Sequence, residues 1–241
     1  DGGPLDDIPG LYLRRPDGSL AFTGPAAPLN LERLLAPDWT LGARIEPPTD
    51  PQQDLGYYLV ETQRGCGHHC EFCTFRTVTH HELMSPETAA DAILRTADLP
   101  RGTIFLADAT ATSPRKRWEE ILQKLIAHGG SPHPLVVFAR VSDVTDHVAE
   151  LMARAGVQGL VIGQESGDQR LLNAMNKGIK VEQVPAAVRA MGKHGLGAQF
   201  AFMCGFPGET AESMQATRSM IMTLNEHFPE EPVVPIYVLI P

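Results

Sequence analysis

The chain has 241 residues, 43% of them hydrophobic, which is enough for one sizeable core and too little for two large domains. Its 29 acidic residues outnumber the 20 basic ones, and the formal charge of -9 excludes the positive field that binding to nucleic acid requires. No apolar run approaches the roughly 20 residues of a membrane-spanning helix, so we expect a soluble, cytoplasmic protein with neither nucleic acid nor membrane as a partner.

Residues 1–56 are rich in proline, glycine and aspartate, as in D-G-G-P-L-D-D-I-P-G and R-I-E-P-P-T-D-P. This composition predicts an irregular linker with one short helical segment, L-N-L-E-R-L-L at residues 29–35. The chain does not begin with Met, and it stops within an apolar run, Y-V-L-I-P. We therefore expect a piece of a longer protein.

From residue 57 onward, short apolar runs alternate with longer amphipathic stretches. The runs predict six strands, at residues 57–62, 103–107, 135–140, 159–163, 198–204 and 233–240. The stretches predict helices at residues 86–97, 114–128, 146–155, 181–194 and 209–228, the first with Ser85 as its N-cap. This alternation favours an α/β fold with a parallel sheet, either open and doubly wound or an incomplete barrel. In both folds ligands bind at the carboxyl ends of the strands.

Three of the four cysteines fall within one stretch, R-G-C-G-H-H-C-E-F-C-T-F, directly after the first strand. Their spacing is too tight for unstrained disulfides and is more typical of a metal site. A ferredoxin would need a fourth cysteine, whereas Cys204 is isolated and more typical of a core residue. A four-iron cluster on three thiolates would leave one iron open to bind a small molecule. A zinc site remains possible with a fourth ligand from His68, His69, His80 or His81.

The cysteine stretch resembles the C-x3-C-x-aromatic-C signature of radical S-adenosylmethionine (radical SAM) enzymes. Two further segments are similar to sequences of that family. One is G-L-V-I-G-Q-E-S-G-D-Q-R-L-L-N-A-M-N-K-G at residues 159–178, a Gly-x-Glu-Ser-Gly stretch that continues to a Leu, a Met and a Lys-Gly, and the other is F-A-F-M-C-G-F-P-G-E-T at residues 200–210. The resemblance extends over residues 57–241 and implies a partial (β/α)6 TIM-like barrel of the radical SAM type. It also implies a 4Fe-4S cluster whose open iron chelates S-adenosylmethionine and whose ligands are Cys66, Cys70 and Cys73.

The other predicted cofactor-binding residues lie in the cysteine stretch or at the carboxyl ends of strands. Arg140 would hold the cofactor carboxylate through its planar guanidinium, with a salt bridge to Asp143 as the alternative. Glu165 would accept hydrogen bonds from the ribose hydroxyls, with a buried structural carboxylate as the alternative. By resemblance, Phe72 would help to form the adenine pocket. The set is completed by Asp108, Ser166 and Gly205, and no residue is assigned a catalytic role.

The phrases L-D-D-I-P and L-A-P-D-W resemble the connection that follows the cobalamin-binding domain in the cobalamin-dependent class of this family. Residues 1–56 would then be a linker after a domain outside this chain that binds cobalamin, and residues 57–241 would be the radical SAM core. Our main hypothesis is a C-methyltransferase that modifies a biosynthetic intermediate, a small molecule or a peptide. By resemblance it would use an electron donor such as flavodoxin or ferredoxin.

Two other hypotheses are compatible with the same residues. One is a cobalamin-independent radical SAM enzyme, either methylthiotransferase-like or an oxidative cyclase. The other belongs to a different class, a non-catalytic iron-sulfur or zinc module. The metal content and the fate of the methyl group of S-adenosylmethionine would separate all three hypotheses.

Overall fold

The computed structural model describes residues 3–27, 30–34, 37–39, 56–75, 81–227 and 234–237. The chain divides into two units, Asp1–Asn30 and Leu31–Pro241. The predicted domain boundary after residue 56 adjoins residues 40–55, which lie outside the described residues, and it stays a prediction. His80 and the end of the last predicted strand, residues 238–240, also lie outside them. Of the short helix predicted at residues 29–35, the described part forms a 3-10 helix, Leu31–Arg33.

The first unit contains a β-hairpin that the composition did not predict. Strand β1 (Tyr12–Arg14) pairs antiparallel with β2 (Leu20–Phe22), and the rings of Tyr12 and Phe22 stack with their centroids 4.8 Å apart. Each strand has only three residues, too few for an alternation of polar and apolar side chains to show. A short 3-10 helix, Leu5–Asp7, precedes the hairpin.

The second unit is built on one parallel sheet of six strands, and all six predicted strands are present. Their bounds are β3 Tyr57–Val60, β6 Thr103–Leu106, β7 Leu135–Ala139, β8 Val157–Glu165, β9 Gly197–Cys204 and β10 Val234–Tyr237. The order across the sheet is β10-β9-β8-β7-β6-β3, with every neighbouring pair parallel. Within the described residues the edge strands β3 and β10 do not pair with each other. The predicted partial (β/α)6 barrel is therefore confirmed.

Helices connect these strands, and each predicted helix is present within a few residues of its expected bounds. They are α1 Pro86–Leu94, α2 Arg115–Ala127, α3 Asp146–Ala155, α5 Val184–His194 and α6 Ala211–His227. The sequence did not predict the six-residue helix α4 (Gln169–Ala174) or the two-residue antiparallel strands β4 (Gln63–Arg64) and β5 (Glu82–Leu83). No helix in the described ranges combines the length and the apolar character needed to cross a lipid bilayer.

Local sequence signals fix the ends of the helices. The Ser85 hydroxyl accepts a hydrogen bond from the amide of Thr88 (3.2 Å), which confirms the predicted N-cap of α1. Thr145 caps α3 in the same way, and α3 ends at Gly156. Because Gly156 has a φ of 95°, a conformation that costs glycine little, the chain can turn there directly into β8.

Burial alternates along the strands and shows which face of the sheet is open. In β6, Ile104 and Leu106 are fully buried, whereas Phe105 between them is only partly buried. In β7, Val137 is buried but the next residue, Phe138, is 37% exposed. The helices therefore cover one face, while the other face lines the interior of the partial barrel. Since the strands are parallel, their carboxyl ends all meet at one edge of that interior.

Helix α6 packs closely on the turn that follows β8. The amide of Gly167 donates to the Thr217 hydroxyl of α6 (3.0 Å), and a Cβ added at Gly167 would lie 2.6 Å from the carbonyl oxygen of Ala216. No side chain fits at this distance. Glycine at position 167 is thus required by helix packing.

Replacing Gly167 with alanine should destabilise the protein by about 2 kcal/mol, because the added methyl group overlaps the backbone of α6. Gly192→Ala is the matched control, since a Cβ at Gly192 within α5 meets nothing within 4 Å. That change should stabilise the helix by about 0.5–1 kcal/mol. Urea unfolding measures both, and a Gly167→Ala variant with the wild-type midpoint would contradict the packing.

Candidate functional site

The cysteine loop lies at the carboxyl edge of the sheet, where the fold predicts ligands. Pairing of β4 with β5 brings together the two ends of the segment that contains the loop, because Arg64 lies opposite Glu82. Cys70 is buried, Cys66 and Cys73 are half-buried, and all three thiols are free. Three potential metal ligands therefore lie on one loop, and the pairing of β4 with β5 holds the two ends of the surrounding segment together.

Asp108 holds the start of this loop from the end of β6. Its Oδ1 accepts hydrogen bonds from the amides of Thr62 (2.7 Å) and Gln63 (3.0 Å), and its Oδ2 accepts one from the Thr62 hydroxyl (2.5 Å). The guanidinium of Arg117 donates to the Thr62 carbonyl oxygen (2.7 Å). Asp108 has no exposed surface. This carboxylate is enclosed and is engaged by the backbone it anchors, and its predicted contact with a cofactor stays a prediction.

Two threonines after Asp108 continue the support of the site. Gln63 donates through Nε2 to the carbonyl oxygen of Thr110 (2.5 Å), and the Thr110 hydroxyl lies 3.8 Å from the sulfur of Cys66. Thr112 donates to Asp143 (2.8 Å), the residue considered as an alternative partner of Arg140. Asp143 therefore binds the loop that follows β6, whereas the guanidinium of Arg140 donates to the backbone carbonyl of Lys177.

Glu165 ends β8 in a strained conformation. Its φ of 67° is uncommon for a residue other than glycine and marks a position that the surrounding structure has to hold. The Glu165 carboxylate forms an ion pair with the ammonium of Lys177 (2.7 Å), with only 9% and 10% of the two side chains exposed. A Cβ at Gly163 would lie 2.5 Å from the Glu165 carboxylate, so a larger residue there would displace the pair.

Lys177 also connects Glu165 to two other predicted residues. Its ammonium lies 5.6 Å from the centre of the Phe72 ring, within the range of a cation–π contact. Its backbone carbonyl accepts a hydrogen bond from the guanidinium of Arg140, which is buried at the end of β7. Phe72, Arg140 and Glu165, predicted from separate parts of the sequence, therefore meet around one lysine.

Ser166 and Gly205 follow directly after β8 and β9, at the carboxyl edge of the sheet. The Ser166 hydroxyl lies 3.2 Å from that of Thr217 in α6 and accepts from the amide of Asp168 (3.1 Å), so it stabilises the turn after β8. Gly205 is exposed after β9, and its amide donates to the Glu209 carboxylate (2.7 Å). In the described part of the chain no hydrogen bond joins Ser166 or Gly205 to the side chains of Phe72, Arg140 or Glu165. Their predicted contact with a cofactor stays a prediction.

The histidines of the loop differ in their surroundings. His69 is exposed, whereas His68 is half-buried and its Nε2 has no hydrogen-bond partner within the described residues. Burial, together with the positive charge of Arg140, lowers the pKa of His68, which keeps the ring neutral at pH 7. His81 lies against the loop, where a Cβ at Gly67 would be 3.0 Å from its Nδ1.

Comparison with known proteins matches residues 60–221 to the family described as the radical SAM superfamily. The chain belongs to this superfamily. It is 25% identical over 228 residues to an anaerobic magnesium-protoporphyrin IX monomethyl ester cyclase of Rubrivivax gelatinosus, covering 90% of this chain and 40% of the cyclase. It is 31% identical over 163 residues to an uncharacterized methyltransferase of Pyrococcus horikoshii, covering 66% of this chain and 35% of that protein. The chain thus spans less than half the length of these curated relatives.

Two solved structures share the radical SAM fold of this chain. The methyltransferase TsrM from Kitasatospora setae, with tryptophan substrate and a SAM analogue bound, matches 98% of this chain and 47% of its own, with a TM-score of 0.74 and 19% identity. The cobalamin-dependent enzyme OxsB, with aqua-cobalamin bound, matches 96% of this chain and 34% of its own, with a TM-score of 0.73 and 20% identity. At these identities the likeness establishes the fold alone.

The donor set of this radical SAM domain fits an iron-sulfur cluster. Within the described residues, no three His, Cys, Asp or Glu side chains gather as the ligands of one metal ion do. Cluster ligands need not gather in this way, since each thiolate binds a different iron atom. Two buried polar atoms, Nε2 of His68 and Oε1 of Gln63, lack hydrogen-bond partners within those residues. Buried polar atoms rarely stay unpaired, so they mark room for a bound group beside the loop.

Sequence reasoning missed the residues that join the predicted ones. Lys177 lies near the end of the segment 159–178 that is similar to the family, but the family likeness assigns it no role. The direction of its side chain depends on the turn around it. Thr62 and Gln63 lie before the signature, and nothing in their types indicates that they bind Asp108. The one available signal was the position of Asp108 directly after a strand. This position predicts that Asp108 lies at the carboxyl edge of the sheet, but it does not predict which residues bind its carboxylate.

Replacing Asp108 with asparagine tests the buried charge. Burial raises the pKa of Asp108 above its unfolded value of about 3.9, while the hydrogen bonds from Thr62 and Gln63 oppose that rise. Because the pKa is higher in the folded state than in the unfolded state, its contribution to stability is fully present at pH values below the unfolded-state pKa. That contribution is lost as the pH rises through the folded-state pKa. Asp108→Asn does not titrate, so its stability should rise relative to that of the wild type as the pH rises above about 4.

Urea unfolding of both proteins at several pH values measures this difference. The exposed residue Asp98 offers a control for the change of charge, Asp98→Asn. A stability difference between Asp108→Asn and the wild type that stays constant with pH would contradict the ionisation of Asp108 in a buried site.

Proposed function

We propose that this chain is the catalytic core of a cobalamin-dependent radical SAM C-methyltransferase that acts on a biosynthetic intermediate. The observation that carries the proposal is the convergence of the cysteine loop with Phe72, Arg140 and Glu165 at the carboxyl edge of the sheet. Membership of the radical SAM superfamily supports the cluster and S-adenosylmethionine. A methyltransferase among the relatives and another among the structures of the same fold support methyl transfer.

In this proposal Cys66, Cys70 and Cys73 hold a 4Fe-4S cluster. When bound, such a cluster supplies an open iron for S-adenosylmethionine and electrons for its activation. The protein would therefore need an electron donor such as flavodoxin or ferredoxin, and we expect it in the cytoplasm, where clustered thiols stay reduced.

The side chains around Lys177 would bind S-adenosylmethionine. Glu165 would accept hydrogen bonds from the ribose hydroxyls, and Phe72 would cover the adenine. The buried guanidinium of Arg140 would pair with the cofactor carboxylate, because a planar fork with several donors suits two carboxylate oxygens. Ser166 and Gly205 would shape the wall, and Asp108 would keep the cysteine loop in place.

Cobalamin is the least direct part of the proposal. OxsB is described as cobalamin-dependent and shares the fold of this chain. The two structures are more than twice as long as the part that matches, which leaves room in such proteins for a further domain. We propose that cobalamin is bound mainly by a domain outside this chain and that residues 1–56 connect that domain to the core.

A second candidate is a radical SAM cyclase. It is favoured by the match to the magnesium-protoporphyrin IX monomethyl ester cyclase, which covers 90% of this chain. Such an enzyme would use the same cluster and S-adenosylmethionine without transferring the methyl group to its substrate. The fate of that methyl group therefore separates the two candidates.

Anaerobic reconstitution of the wild-type protein should give about four iron and four sulfide per chain, measured by metal and sulfide analysis. Cys66→Ala should lose most of the cluster, because one of its three protein ligands is removed. Cys204→Ala is the matched control and should keep it, since Cys204 lies outside the loop. One zinc per chain and no sulfide would overturn the proposal.

Methyl-labelled S-adenosylmethionine tests the reaction itself. With the complete protein, cobalamin and a reductant, label should appear on substrate carbon and be detected by mass spectrometry of the products. Label that stays on the cofactor products while the substrate is oxidised would favour the cyclase candidate instead.

A further inference from the structure

The turn Met175–Gly178, which follows α4, holds a different part of the cysteine loop from Asp108. The amide of Glu71 donates to the carbonyl oxygen of Met175 (2.9 Å), and the Asn176 side chain donates through Nδ2 to the carbonyl oxygen of His69 (2.9 Å). Both hydrogen bonds reach the part of the loop between the first and the last cysteine. The turn therefore contacts the loop where its cysteines are.

The conformation of this turn depends on two residues with positive φ. Asn176 has a φ of 51°, in the left-handed region where asparagine is several-fold enriched, and Gly178 has a φ of 68°. A Cβ at Gly178 would lie 3.3 Å from the guanidinium of Arg140. The two positions reverse the chain and leave Lys177 between them, close to Arg140 and to the end of β8.

Lys177 is the centre of this arrangement. Its ammonium pairs with Glu165 (2.7 Å) and lies 5.6 Å from the centre of the Phe72 ring, one residue before Cys73. Its backbone carbonyl accepts from Arg140. Because the side chain is 90% buried, the carboxylate and the ring replace water around its charge. Moving the ammonium would leave Glu165 buried without its partner.

We propose that the turn Met175–Gly178 positions the cysteine loop, and that Lys177 is the positioning residue that couples this loop to Glu165. The assignment of Glu165 and the cysteines to S-adenosylmethionine and the cluster rests on the proposed function. The coupling itself rests on the contacts described above. Lys177 acts through its contacts with Phe72 and Glu165 and is not itself assigned as a ligand of the cluster or of S-adenosylmethionine. Loss of its charge should therefore loosen the cysteine loop and also weaken the binding of the cofactor.

The test compares Lys177→Met with Lys177→Arg in the full-length protein. Methionine keeps the length of the side chain without its charge, whereas arginine keeps the charge and the contact with an aromatic ring. Lys180→Met is the matched control, because Lys180 is exposed three residues further along the chain. Asn176→Gly is a milder variant that removes the hydrogen bond to His69 and still allows positive φ.

The first measurement is hydrogen exchange at the Glu71 amide, without and with the reconstituted cluster. Lys177→Met should speed this exchange about tenfold or more, because a buried carboxylate has lost its partner. Asn176→Gly should speed it about fivefold through the loss of one hydrogen bond. Lys177→Arg should restore most of the protection, and Lys180→Met should leave it unchanged.

The second measurement is the electron paramagnetic resonance spectrum of the reduced cluster before and after addition of S-adenosylmethionine. Lys177→Met should show a smaller change on addition, and Lys177→Arg should recover it. Wild-type exchange at Glu71 in both Lys177→Met and Asn176→Gly would overturn the positioning role. If Lys177→Met fails to fold, Asn176→Gly and Lys177→Arg decide the question. A wild-type protein without iron would instead refute the proposed function, and the exchange measurement would still test the turn.

Discussion

The ion pair between Glu165 and Lys177 is the interaction on which the rest of the site depends. Two buried charges are costly to desolvate, and the pair is tolerated only because each finds the other at 2.7 Å. Its formation requires the strained φ at the end of β8, a glycine at position 163 and a left-handed turn before Lys177. Local strain and burial are thus concentrated at one point, where the strand, the turn and the cysteine loop meet. Strained residues at such an edge are typical of functional sites.

A second buried carboxylate, Asp108, binds the start of the cysteine loop, before its first cysteine. Among the described residues it accepts hydrogen bonds from Thr62 and Gln63, which lead from β3 into the cysteines. Asp108 therefore fixes the point at which the loop leaves the sheet, and Lys177 contacts the loop at Phe72, next to the last cysteine. Both carboxylates follow directly on parallel strands, yet one is structural and the other is the candidate ligand. The two carboxylates differ in their partners, the backbone amides of Thr62 and Gln63 for Asp108 and the ammonium of Lys177 for Glu165, and not in their positions along the strands.

The sequence predicted well those features that repeat along the chain or depend on residue type. The six strands were predicted because their apolar runs alternate with helical periods, and the superfamily was identified because the spacing of the cysteines suits few structures. The sequence could not predict the direction of a single side chain. Asp108 was predicted to bind the cofactor because it follows a strand, and the sequence does not indicate that its carboxylate turns back to Thr62. Lys177 was not singled out, because its contact with Glu165 depends on a turn with positive φ at Asn176 and Gly178; these residue types favour such a turn but do not specify which side chain it directs at Glu165.

The three cysteines raise the question of what keeps the loop rigid without a fourth. In a closed metal site the last ligand completes the tetrahedron and fixes the loop that carries it. Here the described structure holds the loop by other means. The pairing of β4 with β5 closes its base, Asp108 binds its start, and the turn Met175–Gly178 binds its middle through His69 and Glu71. Because the protein supplies the rigidity, a coordination position can stay open for a substrate without loosening the site.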